Sequence, residues 1–129
     1  MPTFVEFSDN FAASTLSEDN FISRLNAQYP DSVVFVGDDT WEQLAHDEFN
    51  RSYYYPSLDV ADLDTVDRGV YQTVPKEMEQ NDWRLLIGHM LGVDHCGHTF
   101  GPLTHHIGEK LIEVDAFIEF GFNFYFQQI

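Results

Sequence analysis

The fold is decided by one stretch of the sequence, Val33-Val34-Phe35-Val36-Gly37-Asp38-Asp39-Thr40. Its first four residues form a continuous apolar run rich in β-branched side chains, which is typical of a buried strand in a parallel sheet. The glycine and the two aspartates end this strand. Thr40 then opens a short helix that is predicted to reach about His46. A buried strand followed directly by a helix is the repeating unit of an α/β domain.

Helical patterns lie on both sides of this strand. Upstream, Ser17 is a candidate N-cap for a helix that runs through about Tyr29 and is stopped by Pro30 and Asp31. One face of this helix would be apolar, with Phe21, Leu25 and Tyr29. A downstream helix is predicted to begin at Asp64 or Thr65 and to end or kink at Pro75. Valines at fourfold spacing line one face of it: Val66, Val70 and Val74.

The second half of the chain repeats the alternation of strand and helix. Residues 83–89 are predicted to form a second buried strand, and residues 92–102 a loop rich in Asp, His and Gly. Thr104 should cap a last helix with an apolar stripe: Ile107, Leu111, Val114 and Ile118. The fold class is therefore α/β, a mostly parallel sheet flanked by helices. Two strands are too few for a stable sheet, so we expect part of the domain to lie outside this chain.

Composition excludes several classes of function. The 129 residues include 22 acidic side chains against 6 Lys and Arg, for a formal net charge of −16. No basic patch can form to neutralise phosphates, so we expect no nucleic-acid partner. Hydrophobic residues make up 43% of the chain, enough for a packed core. No signal peptide or spanning segment is apparent.

The densest group of chemically active side chains lies in residues 92–102. Asp94 and His98 carry donor atoms suited to a divalent cation such as zinc, with His89, His95 and Cys96 nearby. An equally good alternative is a turn in which Asp94 caps backbone amides and the histidines are exposed. A catalytic zinc takes three protein ligands and an open position, so Asp94 and His98 would form half a site.

Three other polar stretches offer weaker signals. Asp38 and Asp39 follow a strand and could bind a cation or orient a substrate hydroxyl, but capping of the next helix explains them better. Residues 59–67 hold four aspartates without the spacing of a calcium loop, and we interpret them as solvated and capping residues. The aromatic residues 51–56 could line a substrate groove, although an edge strand or a packing loop fits them better.

Several motifs in order resemble a known family. They include Gly37-Asp38-Asp39-Thr40-Trp41, then Leu63-Asp64-Thr65-Val66-Asp67, and finally Val93-Asp94-His95-Cys96-Gly97-His98. Together they resemble the GPI ethanolamine phosphate transferases, most closely the third type, and the resemblance extends over residues 2–118. The last two motifs carry the similarity to the third type.

The resemblance implies a function and a location. Such enzymes have an alkaline-phosphatase-like catalytic domain on the luminal side of the endoplasmic reticulum membrane, and a membrane subunit is a further candidate partner. They move ethanolamine phosphate from phosphatidylethanolamine to a mannose of the GPI glycolipid intermediate, with two zinc ions and a Thr or Ser nucleophile. By resemblance, Asp94 and His98 match an Asp-x-x-x-His pair that binds one zinc ion. Four further positions are candidates for contacts to substrate or to the ligands: Asp38, Asp39, His89 and His95.

The chain also departs from the family pattern. The nucleophile and the first metal-binding Asp of the family lie upstream of the matched segment, so no catalytic nucleophile is assigned. Residues 1–118 would be a partial catalytic domain, and residues 119–129 a divergent aromatic tail. We therefore expect a fragment that is inactive alone and binds zinc weakly. The alternatives are an acidic interaction fragment without catalysis, or another phosphodiesterase of the alkaline phosphatase superfamily.

Overall fold

Three parallel strands form the centre of the structure, a computed structural model in which residues 19–127 are described. The strands are β1 (Val33–Asp38), β2 (Arg51–Tyr55) and β3 (Leu85–His89), in the order β2-β1-β3. Both pairings are parallel. This arrangement confirms the α/β class and is consistent with a partial alkaline-phosphatase-like fold. The aromatic stretch at residues 51–55 is the edge strand β2.

Helices flank this sheet and connect its strands. Those that the structure describes are α1 (Phe21–Gln28), α2 (Thr40–Ala45) with a following 3-10 turn (His46–Glu48), α3 (Thr65–Gln80), α4 (Gly92–Phe100) and α5 (His105–Gln127). Within residues 19–127, none of these helices combines the length and the apolar character that crossing a bilayer requires.

The central strand β1 supplies the core on both faces of the sheet. Val33 and Phe35 pack with Ile22 of α1, Ala45 of α2 and the buried Phe49 on one side. On the other side Val36 packs against α3. All six residues of β1 are buried, which confirms the predicted central strand. The strand alternates its side chains between two helical layers, as a doubly covered sheet requires.

Helix α3 and the middle of α5 cover the second face. Val70 and Val74 of α3 are buried against Val36, and Phe117 of α5 packs on the same cluster. Val66 is buried as well, so the predicted valine face is confirmed. Arg51 of β2 ties α3 to the sheet edge through an ion pair at 2.6 Å with Glu77.

Helix α1 begins later than predicted. Its N-cap is Asn20, whose side-chain oxygen accepts a hydrogen bond from the Ser23 amide at 3.0 Å. The predicted cap, Ser17, lies outside the described residues. The buried face is rotated as well, because Ile22 is buried while Phe21 is 68% exposed.

Helix α3 continues past Pro75 to Gln80, so the predicted break is wrong. A proline inside a helix removes one backbone hydrogen bond. Here the turns on both sides are held by tertiary contacts, through buried Val74 before it and the Glu77–Arg51 ion pair after it. Packing therefore outweighs the local penalty.

The cap of α3 also differs from the prediction. Asp64 occupies the N-cap position without a side-chain cap hydrogen bond. Instead, Asp62 accepts hydrogen bonds from the amides of Thr65 at 3.0 Å and Asp64 at 3.1 Å. Hydrogen bonds from Thr65 and from the Asp64 amide lower the pKa of Asp62 to about 2. The capping role predicted for residues 59–67 is thus performed by Asp62.

Most of the predicted loop at residues 92–102 is the helix α4. Glycine disfavours helix, and the glycines in this stretch favoured a loop prediction. In the structure, His95 and Cys96 are buried on the inner side of α4, and the helix packs against α5. Burial of this face compensates for the poor intrinsic helix propensity.

Helix α5 extends without interruption through residue 118 to Gln127. Two residues of the predicted apolar stripe, Leu111 and Ile118, are exposed. The inner face instead carries Lys110, which is buried, and Phe117. The stripe is therefore shifted around the helix, because the inner face also has to accommodate a paired charge. The division at residue 118 stays a prediction.

Candidate functional site

The carboxyl ends of the three strands meet at one edge of the sheet. β1 ends at Asp38 and β3 at His89, so parallel pairing brings these two side chains together. His89 Nδ1 donates a hydrogen bond to Asp38 Oδ1, and Thr40 Oγ1 donates one to Asp38 Oδ2. Asp38 is 2% exposed, whereas the His89 side chain is 42% exposed. Asp38 therefore supports the histidine, and the outer part of the His89 ring faces solvent.

A close backbone approach makes this contact possible. Gly37 lies beside His89 in the parallel register. A Cβ atom on Gly37 would come within 2.7 Å of the His89 carbonyl oxygen. The glycine in the Gly-Asp-Asp motif thus lets β1 and β3 carry their polar ends side by side.

The pair is electrostatically coupled. Burial opposes ionisation of Asp38, but the hydrogen bonds from His89 and Thr40 outweigh it and lower the pKa of this carboxyl. The hydrogen bond to Asp38 raises the pKa of His89 above its ordinary value, and burial offsets this only in part. Each shift favours the charged form of its group, so the arrangement favours an imidazolium–carboxylate pair at the sheet edge.

We expect the pKa of His89 to lie above 6.5, and Asp38→Asn to bring it to 6.5 or below. Without the Asp38 carboxylate, burial lowers the pKa of the imidazole, and the more weakly acting charge of Asp67 opposes burial only in part. A raised folded-state pKa means that the stabilising contribution of the pair is complete below pH 6.5, as long as Asp38 stays ionised, and is lost as pH rises through the raised pKa of His89. NMR titration of the His89 ring measures the shift.

The matched control for this titration is Asp39→Asn. The Asp39 carboxylate contacts Ser57 rather than His89, so the pKa of His89 should stay raised in this variant. A His89 pKa that is unchanged by Asp38→Asn would contradict the pairing.

Asp39 connects two loops at the same edge. Its Oδ1 accepts a hydrogen bond from Ser57 Oγ at 2.5 Å, and its amide donates to the Tyr55 carbonyl at 3.0 Å. Its own carbonyl accepts from the Glu42 amide at 3.2 Å. The side chain thus holds the loop after β2 against the loop after β1.

Helix α4 carries Asp94 and His98 on its outer face. The two are separated by one helical turn, and Asp94 Oδ1 lies 3.5 Å from His98 Nε2. Their side chains are 60% and 65% exposed, respectively. A tetrahedral zinc ion with bonds of about 2.1 Å to each atom would hold them about 3.4 Å apart. The donor types and their spacing therefore fit two positions of one zinc site.

Residues between these two serve the fold. His95 is 5% exposed, and its Nδ1 lies 2.8 Å from the Asp62 carbonyl oxygen. Cys96 is fully buried. Both side chains lie on the inner face of α4, away from Asp94 and His98. Among residues 19–127, no group of three or more His, Cys, Asp or Glu side chains is arranged to hold a metal ion.

An open groove lies at the opposite edge of the sheet. It is bounded by polar and aromatic side chains near the amino ends of β1 and β3, among them Tyr29, Asp31 and Arg84. Its lining includes no histidine or cysteine. The carboxyl edge is the better candidate site, since ligands of open α/β sheets bind there and the donor groups gather there.

One part of this region was missed by sequence reasoning, the buried pair Asp67 and Lys110. Asp67 was interpreted as solvated, but it is fully buried. A signal existed, because Asp67 shares a helical face with Val70 and Val74 at spacings of three and four. Lys110 likewise precedes the inward-facing Phe117 by seven residues, or two helical turns. The helical pattern predicts apolar residues at such inward-facing positions, so it does not predict a buried ion pair there.

Comparisons with known proteins identify relatives of this chain. The GPI ethanolamine phosphate transferase 3 catalytic subunit of Homo sapiens is 42% identical over 119 residues, which cover 92% of this chain and 11% of the relative. The transferase 3 of Saccharomyces cerevisiae is 44% identical over 121 residues, with 92% and 12% covered. The transferase 2 catalytic subunit of Homo sapiens is 37% identical over 116 residues, with 90% and 12% covered.

These similarities confirm the resemblance that the motifs indicated. Both type 3 relatives are more similar to the chain than the type 2 relative is. The chain spans 11 to 12% of the length of these relatives. No protein-family model matches the chain. No solved structure matches it either.

Proposed function

We propose that this chain is a segment of the catalytic domain of a GPI ethanolamine phosphate transferase of the third type. The complete enzyme would move ethanolamine phosphate from phosphatidylethanolamine to a mannose of a GPI intermediate, on the luminal side of the endoplasmic reticulum membrane. Homologues named for this activity align with 92% of the chain. The segment would contribute part of a zinc site and its support, and the nucleophile would come from elsewhere in the enzyme.

A single geometric observation supports the metal-dependent part of the proposal. Asp94 Oδ1 and His98 Nε2 are 3.5 Å apart on an exposed face of α4, the helix that follows β3 in the chain. This separation fits two ligands of one tetrahedral zinc ion. Such an ion, when bound, stabilises charge on the phosphoryl oxygens during transfer. Asp94 would supply a carboxylate oxygen and His98 an imidazole nitrogen, with the remaining ligands outside residues 19–127.

The Asp38–His89 pair would act on the substrate rather than on the metal. Asp38 fixes the orientation of the imidazole and favours its protonated form. The exposed side of the His89 ring can then donate a hydrogen bond to an anionic group. We assign His89 to contact with the phosphate of the substrate and Asp38 to positioning of His89. Asp39 and His95 keep supporting roles in the loops and under α4.

A segment exchange tests the proposed function. The matched segment of the Saccharomyces cerevisiae transferase 3 is replaced by this chain, and ethanolamine phosphate transfer to a GPI acceptor is measured. We expect the chimera to be active and Asp94→Ala or His98→Ala to lower its rate by at least about a hundredfold. Loss of an outer-shell partner already costs a metal site about 10- to 100-fold, and loss of a ligand costs more.

The control is His105→Ala, which removes an exposed histidine at the start of α5. This variant should retain the rate of the chimera. Equal rates for His98→Ala and His105→Ala would overturn the ligand assignment. A folded but inactive unmodified chimera would count against the proposed function itself.

A further inference from the structure

We propose that Asp67 is a positioning residue that anchors the first turn of α4 and thereby fixes the Asp94–His98 pair. The inference rests on the proposed function, because it concerns the helix that carries the two proposed ligands. Asp67 is not one of the proposed metal ligands, and it is distant from both of them in the sequence.

Helix α4 needs an acceptor from outside its own sequence. Its N-cap position is Leu91, which has no side-chain oxygen to accept a hydrogen bond. The first amides of a helix have no partners within the helix, and burying them unpaired is costly. Gly92 is buried, so solvent cannot readily satisfy its amide. A polar group from another element is therefore required.

Asp67 supplies this acceptor from α3. Its Oδ1 accepts hydrogen bonds from the amides of Leu91 and Gly92, both at 2.9 Å. The Asp67 side chain is fully buried. A carboxylate at a helix N-terminus also interacts favourably with the helix dipole. Since Val70 and Val74 hold α3 against the sheet, Asp67 ties the start of α4 to the rigid core.

Lys110 of α5 balances the charge of this anchor. Its Nζ lies 3.4 Å from Asp67 Oδ2, 3.1 Å from Asp64 Oδ1 and 2.9 Å from Glu113 Oε2. Burial alone would lower the pKa of Lys110, but these carboxylates raise it, so the side chain stays cationic. Three helices, α3, α4 and α5, thus meet at one ion cluster, in which Asp67 and Lys110 are buried.

The consequence for the metal ligands is geometric. Asp94 lies two residues after Gly92, within the turn that Asp67 anchors, and His98 lies one turn further. A metal site tolerates little displacement of its ligands, and groups that orient ligands affect affinity strongly. Release of the first turn would leave Asp94 free to move relative to His98.

The experiment uses the full 129-residue chain with three variants, Asp67→Ala, Asp67→Asn and the control Asp64→Ala. Asp64 contacts the same Lys110, but within residues 19–127 its side chain forms no hydrogen bond to α4, and it is 59% exposed. Hydrogen exchange of the Leu91 and Gly92 amides reports on the anchor. A zinc titration followed by NMR of the His98 ring reports on the ligands, with Asp94→Ala as reference.

We expect Asp67→Ala to accelerate exchange at both amides and to weaken zinc binding by about 10- to 100-fold. Asp67→Asn keeps an acceptor oxygen and should recover part of both effects. Asp64→Ala should change neither. If Asp67→Ala fails to fold, the test rests on Asp67→Asn and on hydrogen exchange in the wild-type chain. Leu91 and Gly92 amides that are unprotected in the wild-type chain would overturn the proposal directly.

The outcomes separate this inference from the proposed function. Zinc binding that is lost in Asp94→Ala but unchanged in Asp67→Ala would overturn the positioning role alone. Zinc binding that is unchanged in Asp94→Ala would overturn the ligand assignment of the proposed function. Faster amide exchange without weaker zinc binding would show a purely structural role for Asp67 and would also overturn the inference.

Discussion

Replacement of Phe35 by alanine is expected to lower the free energy of unfolding by about 3–5 kcal/mol. Phe35 is fully buried in the central strand β1. Its ring stacks on Phe49 with centroids 4.8 Å apart and contacts Trp41 at 5.5 Å and Tyr54 at 5.7 Å. Truncation removes all three contacts and leaves a cavity between the strand and the helices. Urea unfolding followed by circular dichroism measures the change.

The matched control is Phe21→Ala on α1. Phe21 is 68% exposed, so its truncation should change the free energy of unfolding by less than about 0.5 kcal/mol. Similar losses for Phe35→Ala and Phe21→Ala would mean that β1 is not the centre of the core. The expected decrease is a large fraction of the total free energy of unfolding of a small domain.

Phe35 also shows why the core of the fold could be predicted from sequence. A run of β-branched and aromatic residues ending in Gly-Asp-Asp has few alternatives to a buried parallel strand. The valine spacing in α3 was equally informative. These signals depend on residues close together in the chain, and the structure confirms both.

Helix α4 and the ends of other helices could not be predicted in this way. Gly92 and Gly97 lower helix propensity, and Pro75 normally ends a helix. Each rule was outweighed by packing against an element distant in sequence. Local propensity carries no information on such contacts, so the extent of α3 and the nature of residues 92–100 were predicted incorrectly. The start of α1 was also predicted incorrectly, although its cap, Asn20, is a local feature.

The candidate site was also predictable only where it depends on local signals in the sequence. Asp38 follows the first predicted strand and His89 ends the second, and parallel pairing places the two side chains together as the topology requires. Asp94 and His98 are one helical turn apart, so their proximity follows once the stretch is helical. The anchor Asp67 could not be identified, because its role depends on amides 24 and 25 residues away.

Gly92→Ala is expected to destabilise the chain by roughly 3–5 kcal/mol and to displace α4. A Cβ atom on Gly92 would lie 2.1 Å from Asp67 Oδ2, 2.4 Å from Lys110 Cε and 2.7 Å from the Leu63 carbonyl oxygen. These neighbours are the buried ion pair Asp67–Lys110 and a backbone carbonyl, so they cannot move aside without breaking hydrogen bonds. The free energy of unfolding and the exchange of the Leu91 amide measure the two effects.

Gly97→Ala on the same helix is the control, and it should change the stability of the chain in the opposite direction. Its Cβ atom would meet only Ile107 Cδ1, at an ordinary contact distance of 3.9 Å. Alanine is the better helix former, so this variant should stabilise the chain by about 0.5–1 kcal/mol. If α4 were instead the flexible loop that its glycines predict, both substitutions would have small effects. A large loss for Gly92→Ala together with a gain for Gly97→Ala is expected only if α4 is helical and its first turn is closely packed on Asp67.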